Sequence, residues 1–232
     1  MPQHARRLKV RRKDLRKPDE FETLTGQAVD WAQQNRPVVF AIAGVAIVVA
    51  LVALGVARWR SSRNESAATM FVGAQAAFAE SNWTDAAQRF TDVAEEYPGA
   101  PFGRLAKLYR AHALARQGDH AAAATAYGEY VASDPPTEYL RQEALLGLGH
   151  AKEAGGDTAG ALEAYTQAGA LGGPYRTEAL LAAGRLQAAS GHANEARAVY
   201  ESLLKTASDE ETKALLTRKL AALNAAPEAA AK

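Results

Sequence analysis

Five histidines are the side chains of this sequence best suited to acid–base or metal chemistry. They are His4, His112, His120, His150 and His192. None belongs to an HExxH motif or to a close cluster with Asp and Glu, so the spacing that a metal centre needs is missing. His120 and His192 fall in polar turns. His112 and His150 occupy matching places in two neighbouring repeats, which we interpret as coincidence rather than as a metal pair.

Other catalytic patterns are also missing from the sequence. There is no cysteine, which excludes disulfides, thiolate metal ligands, a cysteine nucleophile and a lipidated N-terminal Cys. There is no glycine-rich phosphate loop and no G-x-S-x-G motif, and the pairs Gly155-Gly156 and Gly172-Gly173 are typical of turns. We therefore expect no enzymatic activity, no cofactor and no bound metal.

The charges are distributed unevenly along the chain. The 232 residues carry a net charge of +1, from 27 basic and 26 acidic side chains. Residues 1–63 hold 12 basic and 5 acidic side chains, a net charge of +7, whereas residues 64–232 hold 15 and 21, a net charge of −6. This asymmetry indicates that the two parts of the chain lie in different environments.

An uncharged apolar segment separates the two parts. Residues 37–57 read PVVFAIAGVAIVVALVALGVA, long enough as a helix to span the roughly 30 Å of a bilayer core. Arg36 and Arg58 bound this segment, and Trp31 and Trp59 stand where interfacial aromatic residues are expected. We predict a transmembrane helix over 37–57, because a helix that is apolar on every face is rarely part of a soluble core.

Membrane topology follows from the flanks of this segment. Residues 55–57 have the small-x-small pattern of a signal-peptidase site, but the tail and the apolar run are too long for a typical cleaved signal. The three basic residues just after the span outnumber the two in 17–36, yet the whole tail carries nine, mostly in RRLKVRRKDLRK. We expect an uncleaved, single-pass anchor in the inner (cytoplasmic) membrane, with a cytoplasmic N-terminus and a periplasmic C-terminal domain. The tail then acts as a topology signal; contact with anionic lipid or ribosomal RNA is the alternative.

Two further features belong to the membrane region. Pro18 and the acidic pair after it predict a helix start, and Phe21, Leu24, Ala28 and Trp31 share one face of that helix. We expect a short amphipathic helix at the inner membrane surface. Within the span, five alanines at spacings of 3, 4, 3 and 4 predict a seam for another membrane helix, unless they only reflect a high alanine content. These seam residues are Ala43, Ala46, Ala50, Ala53 and Ala57.

The rest of the chain contains four similar tracts. Each has a small or polar turn, then an alanine, then an aromatic residue four positions later. The turns are Ser81, Gly118, Gly156 and Gly191; the alanines are Ala86, Ala123, Ala161 and Ala196; the aromatics are Phe90, Tyr127, Tyr165 and Tyr200. Seven residues before each turn stands a small residue: Ala74, Ala111, Gly149 or Gly184. Small residues allow two helices to cross closely, and the aromatic residue fills the space between successive units.

This pattern resembles the tetratricopeptide (TPR) repeat over residues 66–207, with a few extra residues per unit placed in the loops. The predicted fold is all-α: one N-terminal transmembrane helix, then a TPR-like α-solenoid of about four helix-turn-helix units and a capping helix. A capping box beginning at Ser208 would start that last helix, and its leucines would cover the open end of the array. The predicted regions are a basic tail with the amphipathic helix (1–36), the span (37–57), the repeat domain (66–224) and a flexible tail (225–232).

The TPR resemblance implies a concave groove lined by the first helix of each unit. Register from the small residue predicts ten partner-binding positions: Leu105, Leu108, His112, Glu143, Leu146, His150, Glu153, Glu178, Leu181 and Arg185. Mixed apolar and charged side chains on such a surface suit an extended peptide or a partner helix. The alternative is that these are ordinary exposed residues of an alanine-rich solenoid.

The layout of the whole chain resembles one bacterial envelope family. The segment PDEFETLTGQAVDWAQQNRP, the span and the repeats together are similar to the YfgM-type ancillary Sec translocon subunit, although the tail is longer and more basic and the repeats are more regular. The resemblance implies association with the Sec translocon and a membrane-anchored periplasmic chaperone. The repeats also resemble the TPR domains of outer-membrane assembly and of the Tol–Pal cell-division system.

We therefore expect a membrane-anchored scaffold that binds proteins or peptides in its TPR groove, with no nucleic-acid partner. The alternative is an envelope-assembly or cell-division protein that acts by self-association or peptide binding.

Overall fold

The structure, a computed structural model, describes residues 20–133 and 135–229, and every regular element among them is an α-helix. The basic tract over residues 6–17 and His4 lie outside the described residues. Ten helices lie within these ranges: α1 (Glu20–Gln34), α2 (Arg36–Ala79), α3 (Trp83–Glu96), α4 (Pro101–Gln117), α5 (His120–Ala132), α6 (Glu138–Ala154), α7 (Thr158–Ala170), α8 (Arg176–Ala189), α9 (Ala193–Thr206) and α10 (Glu210–Ala229). The predicted all-α class is confirmed.

The chain divides into two compact units, one ending at Trp59 and the other beginning at Arg60. In the first unit, α1 ends where the backbone N–H of Asn35 donates to the carbonyl of Trp31 at 2.9 Å. Helix α2 starts directly after it, with Pro37 in the first turn. Proline fits there because the first N–H groups of a helix have no intrahelical acceptor.

The predicted span forms the N-terminal part of α2. Its apolar side chains are exposed, for example Phe40 at 74% and Leu54 at 67%. Among the described helices, α2 alone is long and apolar enough to cross a membrane, and none of its apolar stretch is buried inside the protein. The stretch is therefore not a core helix. Helix α2 continues without a break through residues 58–65 to Ala79.

The second unit consists of consecutive helix-turn-helix pairs. The C-terminal part of α2 packs on α3 through Phe71, Ala74 and Phe90. The later pairs are α4 with α5, α6 with α7 and α8 with α9, and α10 packs on α9. The structure thus contains the four predicted units and a final helix.

A left-handed backbone residue marks the turn inside each pair. The φ angles are 62° at Ser81, 88° at Gly118, 86° at Gly156 and 84° at Gly191. Glycine adopts this conformation without the steric penalty that a Cβ atom brings, so three of the four units use it. These are the four turn positions that the sequence pattern predicts.

The residue after each turn caps the following helix in three of the four units. Asp119 accepts from the N–H of Ala122 at 3.0 Å and Asp157 accepts from that of Gly160 at 2.9 Å. Asn82 accepts from the N–H of Asp85 at 3.4 Å, which is a weaker cap. His192 takes this place in the fourth unit, where its side chain caps no N–H group of the described residues. The repeats therefore differ in whether a side chain caps the N-terminus of their second helix.

Small residues and aromatic rings meet where the two helices of a pair cross. A Cβ atom added to Gly184 would lie 2.6 Å from the ring of Tyr200, and one added to Gly149 would also clash with the ring of Tyr165. The four repeat alanines are completely buried, and the four repeat aromatics are at most 3% exposed. The packing role predicted for these residues is confirmed.

Helix α10 covers the last repeat. Leu216 and Leu223 are buried against Tyr200 and Leu203 of α9. The cap of α10 is Asp209, which accepts from the N–H of Thr212 at 2.7 Å, so the predicted capping box at Ser208 is wrong by one residue. The helix runs to Ala229 and so includes the start of the predicted tail, residues 225–229.

Candidate peptide-binding groove

A groove crosses the first helices of the second, third and fourth repeats, α4, α6 and α8. Its volume is about 610 Å³, within the range of roughly 300–1,000 Å³ found for ligand pockets. The residues that line it are Phe78, Tyr109, His112, Ala115, Arg116, His120, Tyr127, Glu143, Leu146, Gly147, His150, Ala151, Ala154, Tyr175 and Glu178. The lining combines aromatic and aliphatic surface with charged and hydrogen-bonding groups, as peptide sites do.

Half of the ten predicted partner-binding residues line this groove. They are His112, Glu143, Leu146, His150 and Glu178. Leu146 is only 6% exposed and belongs to the groove wall, whereas the other four bring ionisable groups.

The other five predicted residues lie elsewhere. Leu108 is completely buried in the core between the second and third repeats. Leu105 and Leu181 are partly buried and pack against the hydrophobic clusters beneath them. Glu153 and Arg185 pair with each other, with 2.7 Å between Arg185 Nη2 and Glu153 Oε2. These side chains support the groove or the core and are not part of the groove lining.

The second repeat holds a histidine at the groove by two hydrogen bonds. Nδ1 of His112 lies 2.6 Å from the hydroxyl of Tyr127, and Nε2 lies 3.2 Å from Oε1 of Glu143. The bonds are complete when Tyr127 donates to Nδ1 and Nε2–H donates to Glu143. Burial, followed by the charge of Glu143, raises the pKa of Tyr127 above its ordinary value. The tyrosine therefore remains a protonated donor.

The third repeat has the same pairing with an additional carboxylate. Nδ1 of His150 lies 2.8 Å from the hydroxyl of Tyr165, which donates to Oε2 of Glu153 at 2.9 Å. Nε2 of His150 lies 3.7 Å from Oε1 of Glu178. Hydrogen bonding to Arg185 lowers the pKa of Glu153, so this carboxylate is a stable acceptor for Tyr165. The histidine ring is thus fixed with Nε2 toward the groove.

A buried glutamine positions the groove residue that precedes α8. Gln142 is completely buried, and its Oε1 accepts from the backbone N–H of Tyr175 at 3.2 Å. Its Nε2 donates to the carbonyls of Ala168 and Leu171 at 3.0 and 3.2 Å. Because both ends of the amide are bonded, Gln142 fixes the loop that carries Tyr175 to the groove.

Several lining residues are missing from the predicted set. Tyr109 lies one turn before His112 on α4. Its repeat equivalent, Gly147, stands 38 residues later and also lines the groove, so the repeat register could have indicated Tyr109. Phe78 and Arg116 lie in the last turns of the first helices of their units. Tyr175 precedes α8, outside any helical periodicity, so the repeat pattern contains no signal for it.

Two groove histidines, His112 and His150, are engaged in these hydrogen bonds. Within residues 20–133 and 135–229, no group of three or more His, Asp or Glu side chains is placed to hold a metal ion. The groups present can donate and accept hydrogen bonds and attract charge, which is the chemistry of recognition.

The predicted seam lies in the other unit. Its five alanines fall on α2 between residues 43 and 57 and are exposed. Their contact with another membrane helix stays a prediction.

The comparisons with known proteins agree with the repeat pattern. The sequence profile of the family described as tetratricopeptide repeat-like domain matches residues 30–225. No curated protein matches the chain.

Solved structures with similar folds include a tetratricopeptide repeat protein from Parabacteroides merdae, with a TM-score of 0.59 and 16% identity over 69% of this chain. The match spans 61% of that protein's chain. Another is a putative kinesin light chain from Podospora anserina with nearly identical TPR-like repeats, with a TM-score of 0.57 and 18% identity. It covers 71% of this chain and 88% of the other. At these identities the likeness concerns the fold alone.

Proposed function

Because the chain belongs to the tetratricopeptide repeat-like domain family, whose repeats generally serve as protein-interaction scaffolds, we propose that it binds segments of partner proteins in the groove across α4, α6 and α8. The observation that carries this proposal is the groove itself, about 610 Å³ in volume and lined by aromatic, aliphatic and ionisable side chains. Proteins or peptides are its ligands, and binding needs no catalytic step.

We also propose that α2 anchors this scaffold in the inner membrane. The uncharged stretch over 37–57 and its largely exposed apolar side chains support this anchoring. The basic N-terminal tail supports a cytoplasmic N-terminus and a periplasmic repeat domain. An anchored groove meets its partners at a high effective concentration, which strengthens weak binding without further contacts.

The partners that we propose are the Sec translocon and a periplasmic chaperone. This assignment rests on the YfgM-type order of tail, span and repeats. An envelope-assembly or cell-division role is the alternative, in which the same groove takes a different partner or the chain binds copies of itself.

Photo-crosslinking in cells tests the groove. A photoreactive amino acid replaces His150, or in a second variant Glu178, since these groove side chains are 53% and 58% exposed. The control replaces Glu201, an exposed residue of α9 that does not line the groove. We expect partner adducts from positions 150 and 178 and none from position 201.

The identity of the adducts separates the alternatives. Translocon or chaperone peptides in mass spectrometry support the export role, and outer-membrane assembly or cell-division proteins support the other. Adducts containing only this chain favour self-association. Equal adducts from groove and control positions, or none from either groove position, would contradict the proposed groove function.

A reporter fusion tests the topology. Alkaline phosphatase becomes active only after export, so a fusion at the C-terminus should be active and one at the N-terminus inactive. The reverse result would refute the proposed orientation.

A further inference from the structure

Both acidic and basic side chains line the groove. In helix-turn-helix pairs the second helix returns antiparallel to the first, so α4, α6 and α8 run in the same direction. Arg116 lies in the last turn of α4 and His120 begins α5. Glu178 lies in the first turn of α8 and Glu143 in the second turn of α6. Glu143 nevertheless lies 3.2 Å from His112, one turn before Arg116, so the acidic and basic side chains of the groove are interspersed.

His150 and Glu178 present two adjacent acceptors to the groove. Because Tyr165 donates its hydroxyl proton to Glu153, it accepts from Nδ1 of His150, and the neutral ring has Nε2 free to accept. Nε2 of His150 faces Oε1 of Glu178 at 3.7 Å. A donor group that enters between these two atoms hydrogen-bonds to both.

A second carboxylate, Glu143, lines the groove two turns before His150 on α6. Glu143 is 25% exposed, with one oxygen bonded to His112. The pKa of Tyr175 is raised first by its hydrogen bond with Tyr139, then by burial, and further by the negative charges of Glu143 and Glu178. Both carboxylates thus act on Tyr175, and the partial burial of Glu143 strengthens its attraction to a cation.

Apolar surface adjoins these acceptors. Leu146 lies on α6 between Glu143 and His150, three residues from one and four from the other, so the three side chains share a helix face. Across the groove, Tyr109 packs edge-on against Phe78 with 6.3 Å between ring centroids. An apolar side chain next to a bound cation contacts Leu146 without leaving the groove.

We propose that the groove selects a protein segment in which a lysine or arginine is next to an apolar residue. The cation binds between Oε1 of Glu178 and Nε2 of His150, the apolar neighbour packs on Leu146, and the negative charge of Glu143 adds to the attraction. This inference rests on the proposed function, since it specifies the partner of the same groove. The net charge of −6 over residues 64–232 attracts such a segment and repels an acidic one.

A peptide selection with the full chain in detergent tests the proposal. The probe is a displayed library of random heptapeptides, and the readout is the enrichment of Lys and Arg over Asp and Glu in the selected peptides. The test variant is Glu143→Lys with Glu178→Lys. The matched control is Glu163→Lys with Glu201→Lys, which makes the same charge change at exposed positions of α7 and α9 outside the groove.

We expect wild type and control to enrich basic residues about tenfold, which corresponds to about 1.4 kcal/mol of discrimination. The enriched basic residue should stand beside a Leu, Ile, Phe or Tyr. The charge-reversed groove should lose this preference or select acidic residues instead. Circular dichroism verifies folding, and the milder pair Glu143→Gln with Glu178→Gln replaces the reversal if it unfolds the protein; that pair should abolish the preference.

Two results overturn the proposal: selected peptides without basic enrichment, or the same enrichment after the groove charges are changed. A selection that yields no peptides also overturns it, because the ligand would then not be a linear segment. Partner adducts from position 150 alongside either result leave the proposed function standing and remove only the charge preference. Absence of both adducts and peptides removes both proposals.

Discussion

Nδ1 of His112 lies 2.6 Å from the hydroxyl oxygen of Tyr127, and the same pairing recurs one repeat later. In the first repeat, the residues 37 positions earlier are Gln75 and Phe90. The aromatic ring is thus sufficient to fill the space between helices, as Phe90 shows by being completely buried. In the second and third repeats the tyrosine hydroxyl contacts Nδ1 of the histidine and so orients that ring, whereas the fourth repeat keeps Tyr200 although Arg185 takes the place of the histidine.

Tyr127→Phe should therefore lower the stability of the folded protein and leave the packing of the ring unchanged. The change removes the hydroxyl partner of His112 and keeps the ring, so we expect a loss of about 0.5–1.5 kcal/mol in the free energy of unfolding. Urea denaturation of the full chain in detergent, followed by circular dichroism, measures it. Tyr130→Phe is the matched control, because the Tyr130 hydroxyl is buried without a hydrogen-bond partner among the described residues. That control should be neutral or stabilising; an equal loss in both variants would show that the His112 bond contributes nothing.

The repeat positions were predictable from the sequence because packing and turn geometry admit few residue types there. A small residue is required where helices cross, and a glycine is favoured where φ is positive. The groove-facing His112 and His150 follow from the same register.

The remaining positions show where the repeat register does not predict which side chains line the groove. Leu108 is buried and its neighbour Tyr109 lines the groove, because one residue along a helix turns the side chain by about 100°. Leu105 and Leu181 likewise pack against the hydrophobic clusters beneath them and are not part of the groove lining. Tyr175 depends on the hydrogen bonds of Gln142 across a loop, which is a tertiary contact without periodicity.

His192→Asp should stabilise the fourth repeat. Asp119 and Asp157 cap the second helices of their units, whereas His192 holds the same position without capping a described N–H group. A new N-cap contributes about 1 kcal/mol, which should raise the thermal midpoint. Asp119→Ala is the complementary variant and should lower it by a similar amount. No gain from His192→Asp would mean that the φ and ψ angles at this position do not allow capping.

Ser81→Gly should also stabilise the protein. Ser81 has a φ of 62° and is the one described non-glycine residue with a positive φ. Replacing it removes the clash of its Cβ atom with the backbone, which is worth roughly 1 kcal/mol. The reverse change at the equivalent turn, Gly118→Ser, should destabilise by a comparable amount. The denaturation midpoints of both variants test this explanation. Shifts in the same direction would contradict a conformational origin of the effect.

Acid should remove the contribution of Glu153 to the free energy of unfolding. Its hydrogen bond from Arg185 lowers its pKa below the usual 4.5, so folding favours the charged form. The stabilisation is therefore complete above pH 4.5 and disappears as the pH falls through the lower folded-state value. Because Glu153 is 27% and Arg185 47% exposed, solvent screening limits this stabilisation to about 1 kcal/mol.

Glu153→Gln should thus be less stable than wild type at neutral pH and equal to it in acid. Glu201→Gln, exposed on α9, should match wild type throughout; a Glu153→Gln deficit that persists unchanged in acid would mean that the side chain acts by packing rather than by charge.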